Sequence, residues 1–134
     1  MTGRILCAVN DSSHAQRALD VAIEIAHGCA IPLVLVIVNE PLTGSQWFRY
    51  SDDDIKGILD RATSKAKAAG IKDVKRAVFE SDDVAKAIVT CAKGVDAAHI
   101  VVGTGNPSLI GRLLIGSVSE SVLRTAECTV TLAR

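Results

Sequence analysis

The segment Gly103 to Ser117, GTGNPSLIGRLLIGS, carries four glycines, two serines and a single charge, Arg112, and it directly follows the apolar run Ile100–Val102. A loop so rich in glycine and so poor in charge reads either as slack or as backbone whose N–H groups must approach an anion. A phosphate oxygen about 2.9 Å from a backbone nitrogen leaves no space for a Cβ, and glycine also reaches positive φ. The segment runs into a helical pattern that begins near Gly116 or Ser117, with Ser119 close behind. The first turn of a helix adds free N–H groups and the positive end of its dipole. An anion site therefore explains the composition better than slack does. Gly111 to Ser117 has the glycine spacing of a G-x-x-x-x-G-K-S phosphate loop, but serine stands where the lysine belongs, which argues against an NTPase of that kind.

Other chemistry-bearing residues are sparser. The first predicted strand-to-helix turn, Asn10-Asp11-Ser12-Ser13, has no glycine, which argues against a dinucleotide site. Arg112 is the only full charge between Asp96 and Glu120, and reads either as a solvated loop residue or as neutralisation of bound phosphates. Cys7, Cys29, Cys91 and Cys128 form no C-x-x-C pair and stand at no ligand spacing from His14, His27 or His99. Cys7 and Cys128 read as small hydrophobes, and His27 as a partner of a helix C-terminus. Three of the four aromatics, Trp47, Phe48 and Tyr50, share one loop. Packing of that loop onto its own domain is the expected role, ahead of a lid or partner surface.

The elements that must position these residues alternate along the chain. Ile5–Val9 is an apolar run, followed by Ser12 and Ser13 as caps and by Ala15, Ala18, Leu19, Ala22, Ile25 and Ala26 at helical spacing. Leu33–Val38 is a second strand, apolar throughout as parallel strands are. Asp52, Asp53 and Asp54 open a helix whose buried face is Ile55, Ile58, Leu59, Ala62 and Ala66 and whose stop is Gly70. Val74–Phe79, interrupted by Lys75 and Arg76, reads as an edge strand. Ser81 or Asp82 is expected to cap a helix burying Val84, Ile88, Cys91 and Ala92. His99–Val102, a helix burying Val118 and Val122, and a closing strand Cys128–Leu132 complete the chain. This order predicts one domain over residues 1–134: a three-layer α/β sandwich with one five-stranded, mostly parallel sheet and four helices. Ligands of such sheets bind beyond the carboxyl ends of the strands, where the strand order reverses.

Composition narrows the partners. Of 134 residues, 49% are hydrophobic and 22% charged, the balance of a globular chain. Fifteen basic residues against fifteen acidic ones leave no electrostatic footprint for nucleic acid or an anionic membrane. Ile31–Val38 is too short to span a bilayer and Met1–Arg4 opens no signal-peptide pattern, so a cytoplasmic location is expected.

From ILCAVNDSSHAQRAL at Ile5–Leu19 to LLIGSVSESVLRTAECTVTLAR at Leu113–Arg134, the chain resembles the universal stress proteins. The resemblance is most specific in the motif G-x-x-G, nine residues, G-[S/T]. Gly103, Gly116 and Ser117 match it, and Asn106 stands in place of the second glycine. Nucleotide-binding members have an aspartate at the end of the first strand where this chain has Asn10, with Asp11 beside it. The resemblance implies a Rossmann-like fold of the adenine nucleotide alpha-hydrolase type. It also implies ATP or another adenine nucleotide as ligand, with Mg2+ as a companion of the triphosphate. Adenine would lie near Ala8, Val9, Asn10 and Val38; phosphates would follow Gly103, Asn106, Gly116, Ser117, Val118 and Ser119, with Arg112 as the loop's own candidate for neutralising them. The role implied is a sensor or regulatory module in the stress response, a homodimer paired through its last strand, with slow ATP hydrolysis at most. The alternative is a nucleotide-free interaction protein of the same family, which Asn10 and Asn106 favour.

Overall fold

A computed structural model describes residues 3–104 and 116–134. Their elements follow in the order β1 (Arg4–Ala8), α1 (Ser13–Cys29), β2 (Leu33–Asn39), α2 (Asp52–Ala68), β3 (Val74–Glu80), α3 (Val84–Gly94), β4 (Ala97–Gly103), α4 (Ser117–Thr125) and β5 (Thr129–Ala133). The five strands form one sheet in the order β3-β2-β1-β4-β5. Every pairing is parallel. The more polar β3 is at one edge, as its lysine and arginine predict, and β5 is at the other.

Parallel strands need crossover helices, which cover both faces of the sheet, and the alternation of side chains divides the core accordingly. Ile5 and Cys7 of β1, Leu33, Leu35 and Ile37 of β2 and Val101 of β4 pack against α1 and α2. Leu6, Val34, Val36, Ile100 and Val102 point the other way, against α3 and α4. Full burial pushes the Cys7 thiol up to about 12, so it behaves as the small hydrophobe expected. Among the described residues, no helix is long and apolar enough to cross a membrane.

Three details depart from the expected pattern. Asp83, not Ser81 or Asp82, caps α3: its carboxylate accepts from the Lys86 N–H at 3.1 Å, while Ser81 Oγ accepts from the Asp83 N–H at 3.0 Å in the turn before it. In α1 the buried face takes Ile23, and Ile25 is only partly buried against it. In α4 Val122 is fully buried but Val118 is 38% exposed, and Ser119 is buried in its place. Positions three apart and four apart share a helix face almost equally, and packing of α4 beside α3 selects the former.

The reversal of strand order lies at β1, which has β2 on one side and β4 on the other. There α1 approaches β4 so closely that a Cβ on Gly103 would stand 2.6 Å from the His14 carbonyl oxygen. Gly103 is therefore required by the packing of helix on strand, independently of any ligand. Gly103→Ala should lower stability by about 1–3 kcal/mol, read as a lower urea midpoint at unchanged m-value.

Candidate functional site

The crevice beyond the carboxyl ends of β1, β2 and β4 is built from two adjoining parts. At one part Ala8, Val9 and Asn10 of the β1 end face Val36 and Val38 of β2, with Glu40, Arg49, Tyr50 and Val84 completing a slot of about 40 Å3. The four residues expected near the base, Ala8, Val9, Asn10 and Val38, are thus brought together. Asn10 Oδ1 accepts from the Ser12 N–H at 2.8 Å, a turn that leads the chain into α1. Its acceptor is engaged locally, so its amide N–H groups are the donors it offers a ligand.

The second part is a groove of about 520 Å3 lined by Glu40, Asp82, Asp83, Val84, Ser117 and Val118 among others. Glu40 and Val84 line both parts, which places them side by side. The groove ends at the N-terminus of α4. Ser12, Ser51 and Asp83 each cap their helix through a side-chain oxygen, and Ser51 and Asp54 form a reciprocal capping box. Gly116, at the start of α4, has no side chain to do so. Its own N–H donates to the Thr104 carbonyl at 2.9 Å. The N–H groups of Ser117, Val118 and Ser119 meet no acceptor among the described residues. The Ser119 hydroxyl is buried and donates to the Gly116 carbonyl at 3.1 Å, so only its backbone N–H is left to offer. A Cβ on Gly116 would lie 3.0 Å from the Thr104 carbonyl oxygen, so this glycine too answers to the chain's own packing. Asn106 and Arg112 lie outside the described residues.

The loop after β2 supplies what the sequence reading missed. Glu40 to Arg49 is a small hairpin: the Arg49 N–H donates to the Glu40 carbonyl and the Leu42 N–H to the Trp47 carbonyl, each at 2.8 Å. Its base is fastened by Asn39, 4% exposed, whose side chain donates to the Tyr50 carbonyl and accepts from the Tyr50 N–H, both at 2.9 Å. The Tyr50 hydroxyl then donates to Asp11 Oδ1 at 2.7 Å. Arg49 lies 3.8 Å from Asp11 and 4.0 Å from Glu40, with its guanidinium 5.4 Å from the Tyr50 ring centre. Burial, and then the bond to Asp11, push the Tyr50 phenol above its ordinary value, so it remains a donor. Packing of the aromatic cluster holds for Tyr50 alone; Trp47 is 68% and Phe48 38% exposed. One signal for Arg49 was available: it is the only lysine or arginine between Arg17 and Lys56.

Chemically, the crevice offers a narrow slot that sets Ala8, Val9, Val36 and Val38 beside the polar groups of Asn10, Glu40 and Arg49, a groove, and a row of N–H donors backed by a helix dipole. That is an arrangement for binding an elongated ligand with an apolar ring at one end and an anion at the other.

Comparison with known proteins agrees on one family. The model of the universal stress protein family matches residues 1–134. A universal stress protein of Thermus aquaticus is 34% identical over 133 residues, covering 97% of each chain. Among solved structures, a universal stress protein in complex with cAMP superposes with a TM-score of 0.79 at 29% identity, covering 98% of this chain and 97% of the other. The universal stress protein of Archaeoglobus fulgidus in complex with dAMP superposes with a TM-score of 0.74 at 28% identity, covering 99% of this chain and 98% of the other. The chain belongs to the universal stress protein family.

Proposed function

We propose that this protein binds an adenine nucleotide, with the base toward Ala8, Val9, Asn10 and Val38 and the phosphates on the N–H groups of Ser117, Val118 and Ser119, and that it acts as a regulatory module in a stress response. The observation that carries the reading is the start of α4, the one helix among the described residues with no side-chain cap, at the carboxyl end of a sheet beside the strand reversal. The relatives in complex with cAMP and dAMP support adenine nucleotides as the class of ligand. ATP is the member of that class expected here. The second reading, an interaction protein that takes no nucleotide, is favoured by the narrowness of the slot: its volume of about 40 Å3 admits a few waters, against roughly 300 Å3 at the lower end of ligand pockets.

Ser117→Pro separates the two readings. Proline suits the first position of a helix, and Gly116, at φ −59 and ψ 152, already has the extended backbone that precedes one. The variant should fold normally yet lose one N–H donor to a charged ligand. ATP affinity measured by calorimetry should fall about tenfold, whereas Ser117→Ala, which keeps the N–H, should bind nearly as wild type. Equal affinities in both variants would remove the phosphates from α4.

Asn10→Asp tests the base end. Aspartate can keep the turn to the Ser12 N–H but cannot donate, so the preference for ATP over GTP should change by about 1 kcal/mol. An unchanged ratio of the two affinities would detach Asn10 from the base.

Homodimerisation through β5 belongs to the same proposal. The Ala133 carbonyl accepts from the Thr104 N–H on the β4 side. N–H and C=O groups alternate in direction along a strand, so those of Val130 and Leu132 lie along the open edge. Pairing with a two-fold copy would satisfy them. Val130→Pro removes one edge donor without touching the β4 ladder, and should turn a dimer into a monomer in analytical ultracentrifugation at micromolar concentration. A monomeric wild type would sink the proposed interface.

A further inference from the structure

The hairpin after β2 leaves two large apolar side chains uncovered, Leu42 at 48% and Trp47 at 68% exposure. Its backbone is nonetheless well held. Gly44, at φ +72, turns the chain, the Ser45 N–H donates to the Leu42 carbonyl at 3.1 Å and the Trp47 N–H to Ser45 Oγ at 3.0 Å. The Leu42–Trp47 and Arg49–Glu40 bonds flank the antiparallel pair Pro41 and Phe48. Side chains alternate between the two faces of such a ladder, so Glu40, Leu42, Trp47 and Arg49 share one face and Pro41 and Phe48 take the other. The 4.0 Å contact between Arg49 and Glu40 agrees with that division. Glu40 and Arg49 line the slot, and Glu40 lines the groove as well. Leu42 and Trp47 are therefore the next pair outward on the face that walls the crevice.

We propose that Trp47, with Leu42 beside it, is the stacking surface for the purine base of the nucleotide, which lies at the mouth of the slot and not inside it. This assignment rests on the reading that a nucleotide occupies the crevice. A slot of about 40 Å3 has room for a few waters and none for a purine ring, so the flat faces of the base need cover outside it. Trp47 is the most exposed large hydrophobic side chain among the described residues, and an indole stacks on any base through its π-face. The hydrogen bonds of the hairpin fix its backbone before a ligand arrives, which lowers the ordering cost of binding. Stacking supplies affinity without choosing among bases, and the choice is left to the polar groups that line the slot.

Trp47 is the single tryptophan of the chain, so tryptophan emission reports on this one side chain. The test titrates ATP, and inorganic triphosphate as a probe without a base, into wild type, Trp47→Ala and Trp47→Phe by calorimetry, and into wild type by fluorescence. ATP should quench the emission saturably at the calorimetric affinity, and triphosphate should leave it unchanged. Trp47→Ala should bind ATP about tenfold more weakly while its affinity for triphosphate stays that of wild type, and Trp47→Phe should recover most of the loss. Because the side chain is exposed, both variants should keep the wild-type urea midpoint. Equal ATP affinity in wild type and Trp47→Ala, or equal quenching by triphosphate, overturns the stacking and leaves the nucleotide reading standing. Emission that shifts when the protein alone is diluted gives the patch to a second copy of the chain and overturns it too. If ATP binds neither wild type nor either variant, both fall together.

Discussion

Every feature of the crevice depends on the position of β1, which is hydrogen-bonded to parallel strands on both sides and covered by helices on both faces. A strand so placed exposes only its two ends, and the carboxyl end is where the chain turns toward α1 while the neighbouring β4 turns toward α4. The close approach of α1 to β4 at Gly103 fixes the distance between those two turns. Nothing larger than hydrogen fits there, so the packing requirement and the site geometry are the same requirement. Glycine at this position reports on backbone proximity, whatever the ligand.

That dual demand explains what could be read in advance and what could not. β1, β2 and β4 were legible because continuous apolar runs bounded by turn residues admit little else in a chain of this length, and the polar interruptions of β3 identified an edge. Ala8, Val9, Asn10 and Val38 came from the family resemblance, and the fold places them in the lining of one slot. Ser81, Asp82 and Asp83 are three adjacent candidates for one cap, and only the three-dimensional turn selects Asp83. Val118 and Ser119 compete for one face in the same way. The reason for Gly103 lies in His14, far away in sequence, and the Tyr50–Asp11 bond spans 39 positions. Periodicity and motif spacing carry no information about such contacts. The motif positions Asn106 and Arg112 lie outside the described residues, so that part of the reading stays with the sequence.

The hairpin after β2 shows how a segment can be well held without being well packed. Its backbone closes on itself through the Leu42–Trp47 and Arg49–Glu40 bonds, and its base is clamped by Asn39. Hydrogen bonds of that kind do not require its apolar side chains to be covered, which is why Leu42 is 48% and Trp47 68% exposed. Tyr50 is the exception because it lies at the clamp, where the loop meets the ends of β1 and α2. The consequence is a rigid anchor bearing a side chain that packs into the core on the α1 and α2 face and spends its hydroxyl on Asp11.

Electrostatics limits how an anion can be attracted to such a crevice. With fifteen basic and fifteen acidic residues the chain has no long-range field to steer a nucleotide. Glu40, Asp82 and Asp83 line the groove itself, although the Asp83 carboxylate is committed to its own helix and Arg49 lies beside Glu40. If the proposed anion site is used, attraction is short-range, from N–H donors within the first turn of α4, where the helix dipole acts over only a few ångströms. Donors of this kind hold any phosphate alike and distinguish nothing about the rest of the ligand. On the proposed reading, discrimination falls to the other end of the crevice, where Asn10 lies at the carboxyl end of the strand on which the whole sheet is built.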